Sequence, residues 1–90
     1  MHPGEVLREE FLKPMNLTAS GVARACKIPR ARVERVARGE LGVSADTALR
    51  LGRFFGTEPQ FWLNLQADYD LRRAAATVDL EDVEVLHQAA

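Results

Sequence analysis

Between Thr18 and Gly39, two short apolar-periodic stretches are separated by the break Lys27-Ile28-Pro29. That break restricts the fold more than any other feature of the chain. Proline inside a helix removes a hydrogen bond and clashes with the preceding turn. In the first turn of a new helix its missing N–H costs nothing. The region therefore reads as two helices, about Ala19–Cys26 and Pro29–Arg38, joined by a tight turn. Val22, Ala23 and Cys26 form the inner face of the first. Val33, Val36 and Ala37 form the inner face of the second, which is too short to stand alone. Thr18 is a suitable N-cap and Gly39 a suitable terminating glycine.

The same punctuation divides the rest of the chain. A first helix is expected over about Gly4–Lys13, with Val6, Leu7, Phe11 and Leu12 on its apolar side. Glu5, Glu9 and Glu10 suit its dipole, and Pro14 and Asn16 end it. A fourth helix fits Ala45–Phe55, capped by Ser44 and stopped by Gly56, after the connection Leu41-Gly42-Val43. A fifth starts near Pro59 and reaches about Ala76. Its stripe Phe61, Trp62, Leu65 and Tyr69 is read as core or dimer contact rather than a cofactor box. No stretch shows a sustained apolar–polar alternation of the kind a half-buried strand needs, so the fold is expected to be all-α. Residues 1–76 form the helical domain, with the helix-turn-helix at about 18–38. Residues 77–90 form an acidic C-terminal extension with Asp79, Glu81, Asp82 and Glu84. Leu80, Val83 and Leu86 there fit either one more short helix or a loose tail.

With 90 residues the chain builds one core, not two. Its net charge of -1 names no partner, so the distribution of charge has to. Six of the 12 basic residues fall between Arg24 and Arg38: Arg24, Lys27, Arg30, Arg32, Arg35 and Arg38. Only Glu34 interrupts them. A solvated helix face is the plainer alternative. Against it, the cluster is nearly all arginine, which forks onto phosphate or onto guanine edges. On a helical wheel Ala31, Glu34, Arg35 and Arg38 point outward, with Arg30 and Arg32 on the flanks. In a helix-turn-helix the first turns of the second helix reach base edges in the major groove. The first helix aims its N-terminal amides at a phosphate, where Thr18 and Ala19 stand. Lys27 occupies the turn position where glycine is common, so it must accept a tolerable or left-handed conformation.

Catalysis finds little footing. His2 and His87 lie at opposite ends without metal-ligand spacing. Asp68 and Asp70 would point to different sides of a helix. The single cysteine, Cys26, excludes an internal disulfide and fits a buried thiol. No cofactor and no metal are expected. No apolar run is long enough to span a bilayer, and the first residues lack a targeting pattern, so a cytoplasmic protein is expected.

Four stretches carry a resemblance: His2-Pro3-Gly4-Glu5-Val6-Leu7-Arg8-Glu9-Glu10-Phe11, Ala45-Asp46-Thr47-Ala48-Leu49-Arg50-Leu51, Phe55-Gly56-Thr57, and Phe61-Trp62-Leu63-Asn64-Leu65-Gln66 followed by Tyr69-Asp70-Leu71. From His2 to about Arg72 the chain resembles the HigA (VapI-like) antitoxins, of the Xre/Cro helix-turn-helix type. The resemblance implies a five-helix, lambda-repressor-like domain that dimerises, binds operator DNA and represses its own operon. It implies a partner toxin of the HigB/RelE type, an mRNA endonuclease, and no catalytic activity in the chain itself. It places Arg30, Ala31, Glu34 and Arg35 at base-reading positions and Thr18, Arg24, Arg32 and Arg38 at phosphates. Ala19 stands where the family often has glutamine. The acidic extension either binds the toxin or is disordered. The alternative function is a stand-alone Xre repressor without a toxin. Useful specificity needs two half-sites, which a symmetric dimer places about 34 Å apart.

Overall fold

The computed structural model describes residues 1–86, which contain helices and no strand. Helix α1 spans Pro3–Val6 and continues into a π-helical segment, Leu7–Leu12. Helix α2 is Ala19–Cys26, α3 is Arg30–Ala37, α4 is Ala45–Phe55 and α5 is Pro59–Thr77. The boundaries follow local chemistry. The Thr18 hydroxyl accepts from the Gly21 N–H at 3.0 Å at the head of α2. The Ser44 hydroxyl accepts from the Thr47 N–H at 3.2 Å at the head of α4. Gly56 ends α4 in the left-handed region at φ 76°, where a Cβ is penalised.

Two expectations about helix ends need correction. Pro29 does not open the third helix. At ψ 136° it is extended and stands as the cap, its carbonyl accepting from Arg32 and Val33. The first helix is not α-helical throughout. The Lys13 N–H reaches five residues back to the Arg8 carbonyl at 3.0 Å. The wider turn brings Phe11 and Leu12 to the edge of the core.

Lys27 adopts the left-handed conformation, φ 58° and ψ 43°, between α2 and α3. A non-glycine residue there carries a steric cost of about 1 kcal/mol. Lys27→Gly is therefore expected to raise the unfolding free energy, read from the urea midpoint, by about 1 kcal/mol at most, because the added chain freedom of glycine offsets part of the relief. An unchanged or lower midpoint would show that the lysine side chain contributes contacts of its own.

The core is one cluster. Leu7, Val22, Ala23, Val33, Val36, Ala48, Leu51 and Trp62 are its fully or nearly fully buried members. It brings the inner faces of α2 and α3, as expected, onto α1 and α4, and Trp62 of α5 closes it. The Trp62 indole N–H donates to the Thr57 hydroxyl at 2.8 Å, so its one polar atom is satisfied. Phe11 lies 4.6 Å from Phe55 and 5.3 Å from Trp62, between ring centroids. Cys26 is buried, and that burial pushes its thiol pKa up. Past Tyr69, α5 runs into solvent. Residues 78–86 form a turn, a bend and irregular backbone with exposed side chains, not the additional short helix. His87 and the last residues of the extension lie outside the described part.

Candidate nucleic-acid interface

Helix α3 turns Val33, Val36 and Ala37 inward, all buried, and leaves Arg30, Ala31 and Arg35 exposed. Glu34 is half-buried beside them and accepts from Arg30 Nε at 3.1 Å. The expected reading face is thus brought together on the first two turns of one helix. Pairs this exposed hold their partners weakly, so the Arg30 guanidinium is not locked to Glu34. At the far end, Arg38 pairs with Glu40 at 2.9 Å and Arg35 approaches the same carboxylate at 4.0 Å.

The expected phosphate contacts divide. Thr18 sits exposed at the start of α2, and Arg24 is exposed on the same helix with no ion pair among the described residues. Arg32 is different. Its Nη1 donates to Asp46 of α4 at 3.3 Å, and Asp46 also accepts from Arg50 Nε at 3.2 Å. Arg50 Nη1 donates to the carbonyls of Cys26 at 3.1 Å and Lys27 at 3.3 Å. A cation at the end of α2 complements the helix dipole and satisfies carbonyls the turn leaves open. Arg32, Asp46 and Arg50 thus join both helices of the motif to α4, so Arg32 shares its guanidinium with a structural network.

The rear of α3 is held equally closely. Arg8 Nη1 donates to the Ala37 carbonyl. A Cβ added to Gly4 would lie 1.8 Å from the Val36 carbonyl oxygen, so only glycine allows α1 to approach this near. His2 caps α1, its Nδ1 accepting from the Gly4 N–H at 2.8 Å. The His2 ring meets Tyr69 edge-on at 4.7 Å. Gln66 of α5 accepts from the Val43 N–H at 2.7 Å and so fixes the connection that follows α3. Gly4, Arg8, Asp46, Arg50 and Gln66 all fall within the four quoted stretches, but composition and periodicity gave them no role. The one local signal was Gly4, a glycine in the first turn of a helix where propensity disfavours it.

The remaining expected residues close the domain. Trp62 and Leu65 belong to the core or pack on it, Phe61 stands at its edge 5.1 Å from Trp62, and Tyr69 covers His2.

His2 gives this scaffold a pH dependence. Burial lowers its pKa below the ordinary 6.5, against the pull of Asp70 and with help from the chain terminus, Arg8 and Arg73. The unfolded chain therefore takes up the proton first as pH falls. His2 costs nothing above about pH 6.5, and stability declines as pH drops below that value. A protonated Nδ1 also cannot accept from Gly4. Thermal unfolding between pH 7.5 and 5.5 is expected to show a fall that His2→Asn, a neutral cap, flattens. The same slope in both proteins would exclude His2 as its source.

Among the described residues no group of His, Cys, Asp and Glu is placed to hold a metal, and no helix is long and apolar enough to cross a membrane. No protein-family model matches the chain. Individual relatives do. Virulence-associated protein I of Dichelobacter nodosus is 51% identical over 74 residues, 82% of this chain and 68% of its own length. Antitoxin HigA-1 of Vibrio cholerae serotype O1 is 38% identical over 76% of this chain and 64% of its own length. The matched part thus spans about two-thirds of these curated relatives. A solved structure of the Pseudomonas aeruginosa antitoxin HigA with the higBA promoter superposes with a TM-score of 0.86. It is 41% identical and covers 99% of this chain and 98% of that one. Another relative, from Haemophilus influenzae, is named as a helix-turn-helix transcriptional regulator and is 37% identical over 76% of this chain and 64% of its own length. The fold, the helix-turn-helix and these identities place the chain in the HigA family of Xre-type antitoxins.

Proposed function

We propose that the chain is a DNA-binding antitoxin. As a homodimer it binds operator DNA, represses its own operon and neutralises a HigB/RelE-type mRNA endonuclease. The observation that carries the DNA-binding part is the exposed face of α3, clamped from behind by Gly4 and Arg8. Arg30 and Arg35 fork onto guanine edges, Glu34 accepts from cytosine, and Ala31 leaves room for a thymine methyl. Thr18, Arg24 and Arg38 take phosphates. Arg32 does so only by loosening its hold on Asp46. The solved HigA with its promoter supports the operator assignment. The family supports the toxin and the dimer.

The test is a footprint on the promoter, with and without the product of the adjoining gene. A protected palindrome and a tight complex with a small basic neighbour are expected. A second reading, a repressor without a toxin, is favoured by relatives named only as helix-turn-helix transcriptional regulators. It predicts the same footprint and no complex.

A further inference from the structure

We propose that a groove between the end of α2 and the outer side of α4 receives the acidic C-terminal extension of a second copy of this chain. The proposal rests on the homodimer reading and assigns one of its contacts.

The groove encloses about 440 Å³ and is lined by Ala25, Cys26, Lys27, Arg50, Arg53 and Phe54. Beyond the ridge of Arg50 and Arg53, a second trough holds Leu49 and Pro59. Two properties make this face unusual. Lys27 and Arg53 line it without an ion pair among the described residues. Phe54 and Leu49 remain 42% and 61% exposed there, although α4 carries its own buried face on the opposite side. A bare phosphate would satisfy the cations and leave the apolar surface wet. A segment that alternates acids with aliphatic side chains satisfies both.

Such a segment exists in the chain itself. Val78-Asp79-Leu80-Glu81-Asp82-Val83-Glu84-Val85-Leu86 interleaves four acids with five aliphatic residues. The aliphatic members are 53% to 81% exposed. The extension holds four of the 13 acids and none of the 12 basic residues, so residues 1–76 have 12 basic against nine acidic side chains. Body and extension therefore attract one another. Within one molecule the geometry is poor. Helix α5 begins at Pro59, beside the groove, and ends at Thr77, about 27 Å further along its axis. The extension leaves from the distant end, so the groove of a second copy is the better-placed receiver.

The experiment measures self-association of the full chain by sedimentation. Arg53→Glu, an exposed change, is expected to weaken association at least tenfold while leaving the helical circular dichroism unchanged. Converting Asp79, Glu81, Asp82 and Glu84 to their amides in an otherwise unchanged chain is expected to weaken association at least as much. In a mixed sample, a nitroxide on Leu80→Cys of one copy is expected to broaden the Ala25 and Phe54 amides of an isotope-labelled second copy. Unchanged association in Arg53→Glu overturns the groove and leaves the homodimer standing, even if DNA affinity falls. Broadening only when label and isotope share a molecule overturns it in favour of intramolecular docking. A chain that is monomeric at every concentration overturns the homodimer and the groove together.

Discussion

Trp62→Ala is expected to cost about 3–5 kcal/mol of folding stability, the usual range for deleting a buried aromatic ring. The residue is fully buried and touches the aromatic rings of both the first helix and α4 through Phe11 and Phe55. Alanine leaves a cavity where α1, α4 and α5 meet, and it strands the Thr57 hydroxyl that the indole N–H now satisfies. Small domains have only about 5–15 kcal/mol in total, so much of the protein's reserve disappears. Urea unfolding read at constant slope is the appropriate measurement. Trp62→Phe keeps most of the ring and is expected to cost considerably less. A loss below about 1 kcal/mol for the alanine variant would mean that Trp62 is not the closing element of the core.

The second large effect is on recognition. Arg30→Ala with Arg35→Ala is expected to remove about 2–6 kcal/mol of operator preference in each half-site, taking 1–3 kcal/mol for each base-reading arginine. That corresponds to roughly 30- to 20,000-fold at 1.4 kcal/mol per decade. Both side chains are exposed and their partners are surface carboxylates, so folding should be almost unaffected. Arg38→Ala is expected to behave differently. It should weaken binding to all sequences alike and reduce the slope of log affinity against log salt by about 0.9. Titrations against operator and scrambled DNA at several salt concentrations separate the two patterns. Unchanged preference in the double variant would remove α3 from the reading role.

Helix positions were legible because each rests on residues next to one another. Thr18 and Ser44 cap through bonds spanning three residues, Gly56 stops α4, and Pro59 opens α5. The inward Val33 and Val36 and the outward Arg30 and Arg35 follow from the helical period alone. The misplaced start at Pro29 has a local cause as well. Proline fixes φ but leaves ψ free, and here ψ is extended. What periodicity missed acts across the chain. Arg8 to Ala37 spans 29 residues, Gln66 to Val43 spans 23, and Arg32 to Asp46 spans 14. A surface arginine looks the same in sequence whether it faces solvent, a phosphate or a distant carbonyl. The family resemblance flagged the stretches that hold most of these residues without giving them a physical task. The π-helical segment also lacks a composition signal: Phe11 within it packs on Phe55 of α4 and Trp62 of α5, contacts that join parts of the chain far apart in sequence.

The clamp that Gly4 and Arg8 make on the last turn of α3 is matched further forward by the buried Val33 and by the pair of Arg32 with Asp46. A rod braced along its length cannot tip by itself. A difference in the shape of whatever surface it meets has to be taken up by new rotamers of the exposed Arg30 and Arg35, or by the whole domain turning as one body.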